Sequence, residues 1–253
     1  SGCLAGLDKL VEGEAKLQYK AAIRDLAQPA LDRLGWEPSD SDSSRDLELR
    51  GLFIRLLANV GDDDLAIKNA GDLHDSYLVD AGSVEPNVAA AATGVVASKG
   101  DSAQYEVFLD KYHNPTTPQE ERRYQSALSA FSGEAEMDRT LAMSLDGTVR
   151  TQDAPYLLAV CMRNKEQGYR AWEFVKSNWD KINKDFPSNS IVRMLSGVTS
   201  LSKPEQAADV IAFFDDHEVP QGQLTLQQTL EKLRVNVALR ERESGSFSDS
   251  LTS

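Results

Sequence analysis

Histidines are the first residues to test for metal or acid–base chemistry, and the sequence has three: His74, His113 and His217. A zinc-peptidase helix needs two histidines four residues apart, with a glutamate directly after the first. His217 and Glu218 begin such a pattern, but the second histidine is missing and Pro220 interrupts the helix. The other two histidines have no histidine or cysteine at ligand spacing. We therefore predict that this chain holds no metal site and no cofactor.

Neither a reactive thiol nor a phosphate-binding loop stands out. Cys161 lies with Leu157, Leu158 and Met162 on a predicted buried stripe, which indicates an unreactive core thiol. Cys3 is distant in sequence, so the two cysteines do not suggest a disulfide, and a reduced, cytoplasmic setting fits better. No glycine-rich loop joins a strand to a helix, as phosphate binding of that type requires.

The most unusual polar cluster is Arg150-Thr151-Gln152-Asp153, just ahead of Pro155. One interpretation is a helix cap, in which Asp153 accepts backbone amides and Arg150 pairs with it. The other is that Arg150 or Gln152 lines a concave surface and contacts a ligand. The sequence leaves both interpretations open.

Composition limits the kinds of partner. The 253 residues carry a formal net charge of −13, which disfavours binding to nucleic acid and docking on anionic lipid. No apolar run approaches the roughly 20 residues of a membrane span, and the first residues lack the pattern of a signal peptide. We therefore expect no nucleic-acid partner and no membrane partner. Because the chain begins inside helix-like sequence, we expect it to be a fragment of a longer protein.

The elements that position these residues are predicted to be helices, and the clearest extends from Asn164 to Pro187. Its apolar residues recur at intervals of three or four, which places them on one face of a helix. They are Tyr169, Trp172, Val175, Trp179, Ile182 and Phe186. Asn164 is predicted to cap the start, with Gln167 as its reciprocal partner, and Pro187 to end the helix. We interpret the apolar face as core.

Similar amphipathic segments fill the rest of the chain and alternate with short polar turns. Capping patterns are predicted to open helices at Asp101, Thr117 and Ser202. The helix–turn–helix rhythm repeats about every 30–45 residues without any strand signal. It predicts an all-α fold, an irregular α-α superhelix of HEAT- or armadillo-like hairpins with about 11–12 helices. Residues 1–243 are predicted to form a single domain, and the polar residues 244–253 a disordered tail.

Several short segments carry a family signal in a fixed order: residues 34–36, 117–122, 150–153, 171–175, 178–179, 207–210, 213–214 and 228–242. Together they resemble the C-terminal helical domain of the aminopeptidase N and puromycin-sensitive aminopeptidase family of zinc metallopeptidases. The resemblance extends from about Gly6 to Arg242.

The resemblance implies a HEAT-like superhelix shaped as a bowl, which faces an upstream catalytic domain and encloses the substrate cavity. It implies a parent zinc aminopeptidase that acts on peptides. The zinc and the catalytic residues would lie upstream, because none of the family's catalytic motifs occurs in this chain. The partners would be that catalytic domain and a peptide, whose distal end would contact cationic side chains. Arg122, Arg123 and Arg150 are the candidates, together with Gln152. The alternative is a free-standing helical-repeat scaffold that binds a protein partner.

Overall fold

The computed structural model describes residues 2–219 and 222–252, and its regular structure is helical throughout. The α-helices are α1 Gly2–Leu7, α2 Gly13–Leu34, α3 Ser44–Arg55, α4 Asp64–Val79, α5 Pro86–Lys99, α6 Ser102–His113, α7 Pro118–Leu128, α8 Glu134–Ala142, α9 Ala154–Cys161, α10 Gly168–Ser177, α11 Trp179–Asp185, α12 Ser188–Met194, α13 Pro204–Asp216 and α14 Gln223–Thr252. A π-helical turn, Leu56–Val60, continues α3, and a 3₁₀ segment, Leu195–Ser200, continues α12. The described residues contain no strand, so the all-α prediction is confirmed. None of their helices has the length and apolar character needed to cross a membrane.

The helices group into two compact units. The described residues of Ser1–Ala127 and Ser244–Ser253 form the first unit, and Leu128–Glu243 forms the second. The single domain over residues 1–243 stays a prediction. The structure differs from the predicted disordered tail, because α14 continues to Thr252. That end of the helix has an apolar anchor, since the Phe247 ring lies edge-on to the Tyr19 ring with 5.7 Å between the centroids.

Close packing of helices organises the first unit. A Cβ atom added to Gly51 of α3 would lie 2.7 Å from the carbonyl oxygen of Asn87, so α3 and α5 approach closely at this glycine. Asp62 follows the π-helical turn with a φ of 52°. Its carboxylate accepts hydrogen bonds from Lys20 of α2 and Lys99 of α5, and these ion pairs hold its pKa at about 2. The loop after the π-helical turn is thus fixed to two helices at once.

The long helix predicted around Trp172 is the main correction in the second unit. Five of the six residues of its predicted apolar face are buried, Trp172, Val175, Trp179, Ile182 and Phe186, whereas Tyr169 is half-buried. The helix is however divided into α10 and α11 at Asn178, whose φ is −115° and ψ 16°. The side-chain amide of Asn178 donates to the carbonyl oxygen of Phe174 at 2.8 Å. This local bond competes with helical geometry, as asparagine side chains often do.

The predicted caps have mixed outcomes. The Asp101–Gln104 capping box is confirmed, and the Thr117 hydroxyl accepts the amide of Glu120 at 3.1 Å. The Ser202 prediction is wrong, because α13 has Lys203 at its N-cap without a side-chain cap. The predicted Asn164 cap is wrong, because α10 begins at Gly168 and has Gln167 at its N-cap without a side-chain cap; the Asn164 side chain instead accepts the amides of Glu166 and Gln167, both at 3.0 Å, in the preceding turn. The reciprocal bond is absent, because the Gln167 side chain donates to the Ser132 carbonyl at 2.8 Å instead.

Candidate functional site

Two of the predicted contact residues, Arg122 and Arg123, lie on α7 in the first unit. Arg122 is exposed. Arg123 is half-buried, and its guanidinium carbon lies 4.9 Å from the centroid of the Tyr77 ring, a cation–π geometry. Its Nη1 atom is buried and makes no hydrogen bond within the described residues. The structure therefore presents Arg122 to solvent and places much of Arg123 against an aromatic ring.

The buried histidine of the first unit, His74, belongs to an aromatic cluster. Its Nε2 lies 3.2 Å from the Tyr124 hydroxyl, and its ring stacks on Phe108 with centroids 5.0 Å apart. Burial lowers the pKa of His74 to about 4, and burial also raises the pKa of Tyr124. The imidazole is thus neutral at neutral pH and fills the core.

Acid is expected to destabilise the protein through His74. Its pKa is about 4 when folded and 6.5 at its reference value. The unfolded chain therefore binds more protons between these pH values, and stability falls as the pH falls from about 6.5 to about 4. The His74 contribution to this loss is about 3 kcal/mol. Urea unfolding followed by far-UV circular dichroism at several pH values measures it.

The control for this experiment is His74→Gln, which can still hydrogen-bond to the Tyr124 hydroxyl but does not titrate. The variant is expected to lose less stability than the wild type over the same pH interval. Parallel pH profiles for the two proteins would show that His74 does not carry the acid sensitivity.

The remaining candidates for metal binding or nucleophilic chemistry are His217 and Cys161. Within the described residues, no three or more histidine, cysteine, aspartate or glutamate side chains lie close enough to hold a metal ion. The His217 ring stacks on Phe213 at 3.9 Å between centroids, with Nδ1 2.8 Å from the Phe213 carbonyl oxygen. Cys161 is buried, which confirms its predicted place in the core, and this burial raises the pKa of its thiol to about 12.

The other two predicted contact residues, Arg150 and Gln152, lie in the turn that precedes α9 in the second unit. Both are exposed. The Arg150 carbonyl accepts the backbone amides of Asp153 at 2.8 Å and Ala154 at 2.9 Å, so the turn is formed by the backbone. Asp153 is the N-cap residue of α9, but its side chain makes no capping hydrogen bond, which is the bond that the cap interpretation required. Contact of Arg150 or Gln152 with a ligand stays a prediction.

An adjacent group of polar residues was not singled out in the sequence, and we name it the arginine strip: Tyr156, Arg163, Arg193 and Ser196. Arg193 Nη1 donates to the Tyr156 hydroxyl at 3.2 Å. Arg163 Nη2 donates to the Ser196 hydroxyl at 2.7 Å, and that hydroxyl donates to the Arg193 carbonyl at 2.7 Å. The strip thus joins the exposed side of α9 to α12 and its 3₁₀ extension.

Only part of the arginine strip could have been found in the sequence. Tyr156 and Val160 are four residues apart and lie on one side of α9, and Arg163 follows in the turn after the helix. That side is the more exposed one, whereas Leu157, Leu158 and Cys161 are buried. The pairing with Arg193 depends on the packing of α12 against α9, which no local pattern shows.

Comparison with known proteins gives a consistent result. Residues 1–235 match the model of the ERAP1-like C-terminal domain. Aminopeptidase M1 of Arabidopsis thaliana is 30% identical over 217 residues, which are 83% of this chain and 24% of that protein. Aminopeptidase M1-B of Oryza sativa subsp. japonica is 28% identical over 93% of this chain and 28% of its own length. Endoplasmic reticulum aminopeptidase 2 of Homo sapiens is 27% identical over 88% of this chain and 23% of its own length. The chain therefore spans about a quarter of the length of these curated relatives.

Proposed function

Because this chain belongs to the ERAP1-like C-terminal domain family of M1 aminopeptidases, we propose that it encloses the substrate cavity of an aminopeptidase and positions the peptide there. The observation that carries the proposal is the family match over residues 1–235. The catalytic partner would be an upstream domain of the same polypeptide. The zinc implied by the family would belong to that domain, because the donors among the described residues here do not converge.

The proposed role is non-catalytic and works through substrate placement. A domain that contacts the distal part of a peptide restricts how its amino end is presented to the reacting groups, and such restriction lowers the entropic part of the barrier. A wall around the cavity also limits access of water and of folded proteins. The cationic candidates for peptide contact are Arg122 and Arg150, which are exposed, and Arg123, which is half-buried.

Charge reversal in the full-length enzyme tests this function. Arg150→Glu and Arg122→Glu are expected to lower kcat/KM on a long peptide by about fivefold to tenfold, because each replaces an attraction to the peptide with a repulsion. An aminoacyl nitroanilide has no distal part, and its kcat/KM is expected to change by less than about twofold.

The matched control is Arg45→Glu, a charge reversal at another exposed arginine of the first unit. It is expected to leave both substrates unaffected. If the two test variants and this control gave the same peptide kinetics as the wild type, the positioning role of these arginines would be abandoned. If nitroanilide turnover fell as much as peptide turnover, the residues would instead act on the catalytic domain as a whole.

A further inference from the structure

The turn that follows α8 contains the one place in the sequence where an aspartate or asparagine directly precedes a glycine, Asp146-Gly147. Residues 146–149 lie outside the helices, and Asp146, Gly147 and Thr148 are all exposed. Gly147 has a φ of 92°, and a Cβ atom added to it would meet nothing within 4 Å. The pair therefore lies on an open surface that water can reach.

The carboxyl group of Asp146 is held against the backbone that follows it. Its Oδ1 atom accepts the backbone amide of Thr148 at 2.8 Å, which closes an Asx turn. In such a turn the side chain folds toward the downstream backbone, on the side of the Gly147 nitrogen. The Gly147 amide itself donates no hydrogen bond within the described residues. Two groups that are held adjacent in this way react with each other faster than free groups do.

We propose that Asp146 is a site of spontaneous isoaspartate formation. The Gly147 nitrogen attacks the carboxyl carbon of Asp146 and forms a C–N bond, while the amide proton and the hydroxyl group of the neutral acid leave as one water molecule. The product is a five-membered succinimide ring, which water then opens at one of its two carbonyl carbons. Breaking the bond between the nitrogen and the side-chain carbonyl restores aspartate. Breaking the bond to the main-chain carbonyl leaves the chain linked through the side chain, which is isoaspartate.

A turn in the first unit provides a natural comparison. Asp80 is exposed at the end of α4, and its Oδ1 atom accepts the amide of Gly82 at 2.8 Å, the same Asx bond as at Asp146. The residue that follows Asp80 is however Ala81, whose Cβ atom crowds the attacking nitrogen. Glycine lacks this atom and populates backbone conformations that other residues rarely adopt. The next residue in the chain, and neither exposure nor the Asx bond, therefore separates Asp146 from Asp80.

The isomerisation changes the segment that leads to the predicted contact residues. It adds one methylene group to the main chain and removes the Asx bond, because the side-chain carboxyl carbon becomes part of the backbone. On one side the amide of Asp146 donates to the Ala142 carbonyl at 3.1 Å. On the other side the amide of the buried Val149 donates to the Met143 carbonyl at 3.0 Å. The added length is accommodated in the exposed turn between these two bonds, directly before residues 150–152.

Ageing of the full-length protein tests the proposal. The protein is incubated at physiological temperature and neutral pH for several weeks and then digested with a protease. Isoaspartate in each peptide is identified by electron-transfer fragmentation, and by methylation with an isoaspartyl carboxyl methyltransferase and labelled S-adenosylmethionine. The wild type is compared with Asp146→Glu, which keeps a carboxylate but can close only a six-membered ring. It is also compared with Ala81→Gly, which gives Asp80 the same neighbour as Asp146, and circular dichroism checks the fold of each variant.

Isoaspartate is expected to accumulate at Asp146 at least about tenfold faster than at Asp80, because the glycine nitrogen meets less steric hindrance in the transition state. Asp146→Glu is expected to abolish the signal of that peptide, and Ala81→Gly is expected to create a new signal at Asp80. A new signal at Asp80 supports glycine as the determinant of the site, whereas its absence would overturn that explanation.

The proposal is overturned if the Asp146 peptide of the aged wild type contains no isoaspartate, or if Asp146 and Asp80 isomerise at the same rate. A urea-unfolded sample measures the contribution of the fold. We expect the folded protein to isomerise at Asp146 at least as fast as the unfolded sample, because the Asx turn holds the reacting groups adjacent. Isoaspartate that forms in the unfolded sample alone would show that the fold protects Asp146, and would also overturn the proposal.

Discussion

Trp172→Ala is expected to lower the free energy of unfolding of the second unit by about 3–5 kcal/mol. Trp172 is fully buried, and its ring centroid lies 5.3 Å from that of Phe213 and 5.7 Å from that of Phe214. Its Nε1 donates to the Asp209 carboxylate at 2.7 Å. The substitution therefore opens a cavity between α10 and α13 and also removes a hydrogen bond between them. Urea unfolding followed by far-UV circular dichroism measures the loss.

A second substitution separates the ring from its hydrogen bond. Trp172→Phe keeps an aromatic ring but has no donor, so a smaller loss of about 1–2 kcal/mol is expected. Asp209 stays paired in this variant, because Lys176 donates to both of its carboxylate oxygens, at 2.8 and 2.7 Å. Val235→Ala is the control, since Val235 is 59% exposed. A loss for Trp172→Ala no larger than for Val235→Ala would contradict the assignment of Trp172 to the core.

The apolar core was the most predictable part of the fold, because local spacing determines which residues share a helix face. Trp172 and Trp179 illustrate this, since both are buried as their spacing indicated. The division at Asn178 was less predictable. It depends on one side-chain hydrogen bond to Phe174, and asparagine is also common on the exposed sides of continuous helices.

Helix α3 shows where spacing was a poor guide to burial. Leu49, Leu52 and Phe53 are apolar residues at helical spacing in α3, yet the structure leaves all three half-buried, whereas Leu56, Leu57 and Val60 of the π-helical turn are buried. The buried residues of α3 are Arg50, Gly51 and Ile54. Gly51 faces α5 because the close approach to Asn87 leaves no space for a side chain. Hydrophobicity alone cannot identify a buried glycine or a buried arginine.

The sequence could predict candidate contact residues only where they lie close together in the chain. It could not predict residues that packing brings together from distant segments. Arg150 and Gln152 are exposed in one turn, which agrees with a segment that can reach a ligand but does not test that role. The arginine strip required the packing of α12 against α9, since its residues are separated by 37 positions between Tyr156 and Arg193. Long-range pairing of polar groups has no local signature, whereas apolar periodicity does.

The buried arginine of α3, Arg50, gives the second large expected effect. Its side chain is fully buried and connects two carbonyls at the end of α2 with the Asp42 carboxylate in the loop that follows. Nη2 donates to the Leu34 carbonyl at 2.8 Å and to the Asp42 carboxylate at 2.6 Å, and Nε donates to the Gly35 carbonyl at 3.1 Å. Arg50→Met is expected to lower the free energy of unfolding by about 3–5 kcal/mol, because it leaves these acceptors without their donor. Urea unfolding followed by circular dichroism measures it, with the exposed Arg45→Met as the control.

A double variant shows which of the lost contacts matters. If the ion pair with Asp42 carried the stability, Arg50→Met/Asp42→Asn would recover most of the loss, since no unpaired carboxylate would remain. We expect little recovery, because the Leu34 and Gly35 carbonyls stay without a donor at the end of α2. Full recovery would reverse this conclusion and make Arg50 mainly the counterion of Asp42. A loss no greater than that of Arg45→Met would show that α2 does not need Arg50 at its end.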